Sequence, residues 1–261
     1  MIKIEETEVV GLRHVIRGMR NPMNSWEQSD SGICKGGDQG IGCENCSTHC
    51  GHAHDHELKV GKEDYFLMET LRDAGTDHRK YMRMIVVYLD ITAPLYWWKE
   101  FDTYKVGTVA NSCSTMHKIH AKEFTLSDFS NEHLIRHWGD PEDNKSFILT
   151  EYDVPLDPDD EESEEIKFTD ADSPLNVLEY TITALNHQRE AYLVTKDKKF
   201  WWQMIQLLPS SYNQKRTIML NYEVLANIYK SRRLHKLDEW RIFCTWIENL
   251  PYRCLITGKD A

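Results

Sequence analysis

The sequence predicts an α+β fold that is rich in helices and has a small mixed sheet. Apolar residues recur at helical spacing in several segments, and the longest of these begins at Ser173 and Pro174 and runs through Thr195. Met82–Ile91 is dominated by β-branched and aromatic residues, which favours a strand. A further strand is expected in the first part of Ile2–Val15. Helices and strands that are mixed in this way are typical of an α+β domain.

The other elements are predicted in chain order. Gly18–Pro22 has the composition of a turn, and Lys62–Ala74 has the apolar spacing of a helix. After the strand at Met82–Ile91, Thr92 can cap a helix that has Pro94 in its first turn. A short helix is expected within Asn131–Trp138. Three more helices are expected towards the end of the chain, within Phe200–Leu207, over Asn221–Arg233 and over Leu237–Glu248.

Size and composition point to one domain over residues 1–261. The chain has 261 residues, of which 41% are hydrophobic, so it can bury a substantial core. No apolar run approaches the ~20 residues that a bilayer span needs, and the first residues lack the apolar core of a signal peptide. We therefore expect a cytoplasmic protein that does not bind membranes. The formal net charge of −11 disfavours binding to duplex nucleic acid.

Two segments have unusual compositions. Residues 29–56 form a loop that is rich in glycine, cysteine and histidine, and residues 156–172 form an acidic loop, which we expect to be solvated. In the first loop, two cysteines have the Cys-x-x-Cys spacing that can grip a tetrahedral ion, and zinc is the favoured metal. An iron–sulfur cluster and free thiols are the alternatives, and a histidine of the loop could replace Cys34 as a ligand. The candidate metal ligands are Cys34, Cys43, Cys46 and Cys50.

Asp90–Met116 has the framing of a known enzyme signature. Ala93 and Pro94 lead from a strand into a helix, and the stretch from Thr103 to Thr115 then has the length of the motif Arg-His-Arg-x-x-Ser-x-Asn-Glu-x-Ser-x-Arg. Thr103, Tyr104 and Lys105 replace the first three residues, and Thr115 replaces the final arginine. Without gaps, Thr108 and Cys113 stand at the two serines. One inserted residue would instead place Asn111 at the asparagine and Ser114 at the second serine.

A second stretch, Leu208–Trp240, completes the resemblance. It has a Leu-Pro step, then residues that match Asn-x-Arg-x-Leu-x-Asn-Phe followed by a Leu-Arg step, and a tryptophan after one inserted residue. The matching positions are Leu208, Pro209, Asn221, Leu225, Asn227, Arg232 and Trp240. His235 and His78 lie near two histidines of the same pattern. In the order and spacing of both stretches, the chain resembles a divergent member of the flavin-dependent thymidylate synthase family.

This resemblance implies an activity and its cofactors. The family transfers a one-carbon unit from methylenetetrahydrofolate to a pyrimidine deoxynucleotide, uses FAD and NADPH, and forms a homotetramer. The altered signature suggests a methyl or hydroxymethyl transferase with a changed substrate or product. The alternative is a protein of the same fold that binds a flavin or a nucleotide without catalysis. Retained polar residues favour the enzyme, whereas the missing arginines favour the binding protein.

The resemblance also assigns roles to individual residues. The flavin is expected to contact Asn221, Asn227, Tyr104, Lys105, His78 and His235. The nucleotide is expected to contact Arg232 and Asn111, and the catalytic candidates are Arg232, Cys113 and Ser114. Cys113 is either a nucleophile or a buried, inert thiol, and the second interpretation is favoured. Lys215 and Arg216 form either a replacement anion clamp or an exposed polar turn.

Overall fold

The computed structural model describes residues 1–33, 58–137 and 173–258. The chain divides into two compact units. The sheet unit comprises Ile2–Cys113 and Gln214–Ala261, and the hairpin unit comprises Met1 and Ser114–Asn213. The acidic loop at 156–172 and the four candidate metal ligands of the cysteine loop lie outside the described residues.

A four-stranded sheet organises the sheet unit. Its strands are β1 (Lys3–Val10), β4 (Val86–Pro94), β5 (Val109–Ser112) and β6 (Asn213–Asn221), in the order β1-β4-β6-β5. β1 pairs antiparallel with β4, and β5 pairs antiparallel with β6. A separate pair is formed by β2 (Gly32–Ile33) and β3 (Leu58–Lys59). The small sheet that the sequence predicts is confirmed.

The boundaries near the first helix and the second predicted strand differ from expectation. Helix α1 covers Leu12–Arg20, so the turn predicted from Gly18 begins only after Arg20. Met82–Met84 belongs to a 3-10 helix rather than to a strand. Thr92 does not cap a helix, because it lies inside β4 opposite Lys3. The helix that follows starts one residue after Pro94, in agreement with the absence of an N–H group on proline.

Strand β6 is a feature that sequence periodicity did not predict. Its first half, Asn213–Thr217, is polar and resembles a turn in composition. In the fold, Ile218 and Leu220 are fully buried, and Gln214 is also buried. The strand lies between β4 and β5, so its backbone groups are paired on both sides regardless of how polar its side chains are.

Helices cover the sheet and supply an aromatic core. They are α1, α2 (Lys62–Asp73), α3 (Leu95–Phe101), α6 (Tyr222–Arg232), α7 (Asp238–Ile247) and α8 (Cys254–Thr257). The rings of Trp97, Phe101, Trp240 and Phe243 are fully buried, and the Trp97 and Trp240 centroids are 4.8 Å apart. Each such ring removes about 150–250 Å² from water, so this cluster fixes α3 against α7.

The hairpin unit is built on helices α4 (Pro174–Thr195) and α5 (Lys198–Leu207). Lys196 has a left-handed backbone with φ of 57° and ends α4, and the side chain of Asp197 caps α5 by accepting from the Lys199 amide. Both helices bury apolar side chains in a separate core, among them Leu185 and Met204. The prediction of a helix within Asn131–Trp138 is wrong for residues 131–137, the described part of this segment, which form turns and bends.

The described residues contain no helix that is long and apolar enough to span a bilayer. The helix-rich α+β class is confirmed, with a sheet of four strands and helices at its faces. The predicted helices over Lys62–Ala74, Asn221–Arg233 and Leu237–Glu248 are each present and differ from expectation by one or two residues at their ends.

Candidate functional site

Residues from α3, α6 and α7 meet around Arg232. Nη1 of Arg232 donates to a carboxylate oxygen of Glu100 at 2.7 Å, and Nε donates to the hydroxyl of Tyr104 at 2.9 Å. The guanidinium carbon lies 4.7 Å from the centre of the Trp240 ring. We call Glu100, Tyr104, Arg232, His235 and Trp240 the Arg232 cluster. It brings together two charged groups and two aromatic rings in the sheet unit.

The local structure explains how these side chains come together. Arg232 is the last residue of α6, where a positive charge complements the negative end of the helix dipole. Glu100 lies in the last turn of α3, and Tyr104 follows it in a turn whose amide bonds to the Phe101 carbonyl. Trp240 lies in the first turn of α7 and is fully buried, so it provides a rigid surface under the guanidinium.

Glu100 is the residue of this cluster that sequence reasoning missed. The carboxylate oxygen that accepts from Arg232 also accepts from the indole N–H of Trp240 at 2.8 Å. Nε2 of His235 lies 3.6 Å from that same oxygen. Glu100 therefore offsets the charge of Arg232 and fixes its orientation. The sequence signal that could have identified Glu100 was its position, four residues or about one helical turn before Tyr104.

The hydrogen bond that His235 accepts indicates which of its ring nitrogens carries the proton. Its Nδ1 accepts from the Leu237 amide at 3.2 Å, which leaves Nε2 to carry the proton and to face Glu100. The ring lies edge-on to Trp240, with centroids 6.3 Å apart. The structure thus brings three of the predicted site residues together, Tyr104, Arg232 and His235.

Asn221 has a structural role at the start of α6. Its side-chain oxygen accepts from the Val224 amide at 3.1 Å, which caps the helix, and its Nδ2 lies 3.5 Å from the carbonyl of Gly107. Gly107 has φ of 81°, and a Cβ there would lie 2.8 Å from the side-chain Nδ2 of Asn221. The glycine is therefore needed for this close approach, and the Asn221 side chain is already engaged.

Three other predicted flavin contacts are exposed. Asn227 lies on the exposed face of α6, Lys105 follows α3 in a turn, and His78 precedes the 3-10 helix Arg79–Met84. Their side chains are accessible to a ligand. None of the three contacts the Arg232 cluster through a hydrogen bond in the described residues.

Strand β5 and the residue that follows it carry two candidates. Asn111 is exposed and lies opposite Thr217 of β6. Cys113 is also exposed, so the favoured interpretation of a buried thiol is wrong. Its amide donates to the Lys215 carbonyl, which continues the pairing of β5 with β6. Ser114 belongs to the hairpin unit, where its hydroxyl accepts from the His117 amide at 2.9 Å.

Lys215 and Arg216 are adjacent on β6, and adjacent strand side chains point to opposite faces. Lys215 pairs with Asp90 at 2.9 Å, and this hydrogen bond raises the pKa of the lysine. Arg216 bonds to Asp102 at 2.8 Å and lies 4.1 Å from the Trp98 ring. The expected polar turn is wrong, since this segment is a strand, and the two cations cannot grip one anion together in this conformation.

Thr108, which follows Tyr104 of the Arg232 cluster by four residues, has a buried hydroxyl without a hydrogen-bond partner among the described residues. Its Oγ1 atom is inaccessible to solvent. Buried polar atoms are normally paired, so an unpaired hydroxyl beside Gly107 marks a place where a ligand or water can supply a partner.

The predicted metal site is not described. Its four cysteines fall within residues 34–57, outside the described ranges. Over residues 1–33, 58–137 and 173–258, no group of three or more histidine, cysteine, aspartate or glutamate side chains could hold a metal ion.

Sequence comparison identifies no relatives, because no protein-family model and no curated protein matches this chain. Comparison of structures does. The flavin-dependent thymidylate synthase ThyX of Helicobacter pylori, in a crystal structure with FAD and dUMP, aligns over 99% of this chain and 98% of its own, with a TM-score of 0.57 and 14% identity. A second structure of that enzyme aligns over 100% and 98%, also with a TM-score of 0.57 and 14% identity.

A UMP/dUMP methylase, PolB from Streptomyces cacaoi, is also similar. Its structure with 5-Br dUMP aligns over 97% of this chain and 93% of its own, with a TM-score of 0.51 and 15% identity. Alignments over nearly the whole of both chains show a common fold. The protein thus has the fold of the flavin-dependent thymidylate synthases, as the resemblance in Asp90–Met116 and Leu208–Trp240 predicts.

Proposed function

We propose that this protein is a flavin-dependent one-carbon transferase that acts on a pyrimidine deoxynucleotide. The observation that carries this proposal is the Arg232 cluster, which forms at the position where the sequence resemblance expects the pyrimidine. Solved structures of the same fold contain dUMP or 5-Br dUMP. For a methylated base, methylenetetrahydrofolate would supply the carbon and NADPH would supply the hydride through the flavin. For a hydroxymethylated base, methylenetetrahydrofolate and water would supply the group without net reduction.

The Arg232 cluster has the chemistry that a pyrimidine needs. Arg232 offers N–H donors to the ring carbonyls, and two of its donors are held by Glu100 and Tyr104. Because those contacts and the Trp240 ring fix the guanidinium, its remaining donors are oriented before a ligand binds. Such preorganisation reduces the entropic cost of binding.

The residues present fit a flavin in part. Asn227 and Lys105 are exposed and can bind polar atoms of the cofactor. Asn221 fits less well, because its side chain already caps α6. When bound, the flavin carries the hydride of the reaction. The protein's part is to bind the flavin, to orient the pyrimidine at Arg232 and to exclude water.

A second candidate function is binding of a flavin or a nucleotide without turnover. Glu100 favours it, because this carboxylate neutralises the arginine that should polarise the pyrimidine. Lys215 and Arg216 favour it too, because each is paired with a carboxylate and neither is free to replace the missing phosphate-binding arginines.

Visible absorption of the purified protein separates these functions. With added FAD, the transferase should show bound flavin, NADPH should reduce it, and a pyrimidine deoxynucleotide with methylenetetrahydrofolate should yield a modified base by mass spectrometry. Bound flavin or nucleotide without any product would support the second candidate. Absence of both flavin and nucleotide binding would contradict both.

We also propose a homo-oligomer, a tetramer as in the resembled family, in which flavin sites form between subunits. Light scattering of the FAD-saturated protein should then give about four times the mass of one 30.7 kDa chain. A monomer that binds FAD would contradict a site shared between subunits.

A further inference from the structure

A cavity of about 550 Å³ lies beside helix α1. Arg13, His14 and Arg17 of α1 line it, together with Trp26. Ile33 and Leu58 add apolar surface, together with Ile16, Arg20, Ser29, Ser31 and Gly32. We call this space the α1 cavity. It shares no residue with the Arg232 cluster.

The charge of the α1 cavity is opposite to that of the protein. The chain carries a formal net charge of −11. In contrast, the described residues that line this cavity include three arginines and no carboxylate. Arg20 is neutralised, because its Nε donates to Asp64 at 2.6 Å in a buried pair. Arg13 and Arg17 are exposed and have no ion-pair partner among the described residues.

The lining residues Ser29 and Ser31 are held by specific hydrogen bonds. Asp64 is fully buried and accepts from the hydroxyls of Ser29 at 2.6 Å and Ser31 at 2.5 Å. Asp30 accepts from the Glu63 and Asp64 amides and so caps helix α2. These bonds anchor Ser29–Ser31 to α2.

The lining residue Trp26 is also fixed. The indole N–H of Trp26 donates to the Asn21 side chain at 2.8 Å, and the guanidinium of Arg17 lies 5.9 Å from the indole centre. Ile33 pairs with Leu58 across β2 and β3, which places two aliphatic residues in the same lining. The lining therefore combines cationic, aromatic and aliphatic groups.

We propose that the α1 cavity binds a nucleoside diphosphate, with its phosphates on Arg13 and Arg17 and its base against Trp26. The arginines are four residues apart on α1, so their Cβ atoms are roughly 5–6 Å from each other. Each guanidinium can grip a phosphate with two parallel hydrogen bonds. Ser29 and Ser31 keep their hydroxyls on Asp64, so the specific phosphate contacts come from α1.

Isothermal titration of the full-length protein tests this proposal with two probes, ADP and inorganic pyrophosphate. Both should bind, and ADP should bind more tightly because its base buries apolar surface against Trp26. The double variant Arg13→Gln with Arg17→Gln should weaken binding of both probes by about tenfold or more, as expected for lost charged hydrogen bonds. Trp26→Leu should remove the advantage of ADP over pyrophosphate.

The matched control removes two charges elsewhere. Lys196 and Lys198 are exposed in the hairpin unit, and the variant Lys196→Gln with Lys198→Gln should bind both probes like the unmodified protein. Arg17→Lys keeps the charge and loses the planar fork, so intermediate binding is expected. Failure of the unmodified protein to bind either probe, or equal binding by the Arg13 and Arg17 double variant, would overturn the proposal.

Discussion

At Arg232, a nucleotide must share the arginine with Glu100. The pair is about one-fifth to one-third exposed, with side-chain exposures of 19% and 35%, so water reaches both partners. An ion pair in this setting contributes little to stability, with a typical value of about 0–1 kcal/mol. Glu100 thus orients the guanidinium at small energetic cost to a ligand that displaces or joins it.

Replacing Arg232 with alanine should weaken pyrimidine nucleotide binding by about 2–4 kcal/mol, as expected for loss of a charged hydrogen-bonding partner. Titration calorimetry with dUMP and dCMP would measure this. Arg233→Ala is the matched control, because Arg233 is the next residue and is exposed, with its backbone amide bonded to Tyr229. Equal nucleotide affinity in both variants would remove Arg232 from the site.

Two cysteines should differ in reactivity. Burial raises the pKa of Cys244 to about 12, so at pH 8 only about one molecule in ten thousand carries the reactive thiolate there. Cys113 is exposed at the end of β5. Iodoacetamide at pH 8 should therefore modify Cys113 and leave Cys244 unmodified, as measured by peptide mass spectrometry. Both should react in denaturant, and equal rates in the folded protein would contradict the burial of Cys244.

Asp64 should be essential for stability. The variant Asp64→Asn leaves the buried Arg20 without its counter-charge, and the expected loss is about 3–5 kcal/mol in urea unfolding at pH 7. Asp77→Asn, at an exposed position, should change the unfolding free energy little. A loss below about 1 kcal/mol for Asp64→Asn would show that the pair contributes only as a surface ion pair does.

The same carboxylate gives this effect a pH dependence. Burial by itself raises the pKa of Asp64, but hydrogen bonds from Ser29, Ser31 and Arg20 outweigh it and hold the pKa below its ordinary value of 3.8. A lowered folded pKa stabilises the protein above the unfolded pKa, and this stabilisation is lost as pH falls through the folded value. The difference in the free energy of unfolding between Asp64→Asn and the unmodified protein should therefore become smaller below about pH 4.

The sequence predicted individual site residues better than it predicted their partners. Tyr104, Arg232 and His235 come together, and the resemblance had singled out all three: Arg232 matches a motif position, Tyr104 stands at a replaced one, and His235 lies near one. Glu100 was missed because it belongs to no motif, and its role depends on a contact between residues 132 positions apart. The ion pair of Lys215 could not be predicted for the same reason, since only the fold shows that Asp90 pairs with this lysine.

At the scale of elements, helices with a continuous apolar face were predictable, because a single periodicity sets both their conformation and their burial. The long helix from Pro174 to Thr195 agrees with its predicted extent. Strand β6 was not predictable in this way, since its polar first half is ordered by the neighbouring strands β4 and β5. Context decides strand formation more strongly than local propensity does.

The start of α6 separates a structural asparagine from a candidate ligand. Asn221→Ala should lower the free energy of unfolding by about 1 kcal/mol, the usual cost of losing such a cap. Asn227→Ala should leave stability unchanged, because that side chain is exposed. If Asn227 contacts the flavin, its variant should lose FAD affinity at unchanged stability, measured by fluorescence titration. Loss of stability without loss of FAD affinity in Asn227→Ala would contradict this assignment.

At the scale of the whole molecule, the two cores predict two regions of different local stability. Leu185 is fully buried in the hairpin unit and Leu225 is fully buried in the sheet unit. Replacing either with alanine should cost about 2–5 kcal/mol within its own core. Because proteins open in contiguous cooperative units, Leu185→Ala should speed hydrogen exchange in α4 and α5 while β4 and α6 keep their protection.

Leu225→Ala is the reciprocal variant, and it should speed exchange in β4 and α6. Mass spectrometry of exchanged peptides would measure both variants under identical conditions. If Leu185→Ala instead accelerated exchange equally in α4 and β4, the two cores would unfold together, as expected for a single cooperative domain over residues 1–261. Separate responses would mean that the sheet unit, which contains the whole Arg232 cluster, keeps its site geometry while the hairpin unit opens.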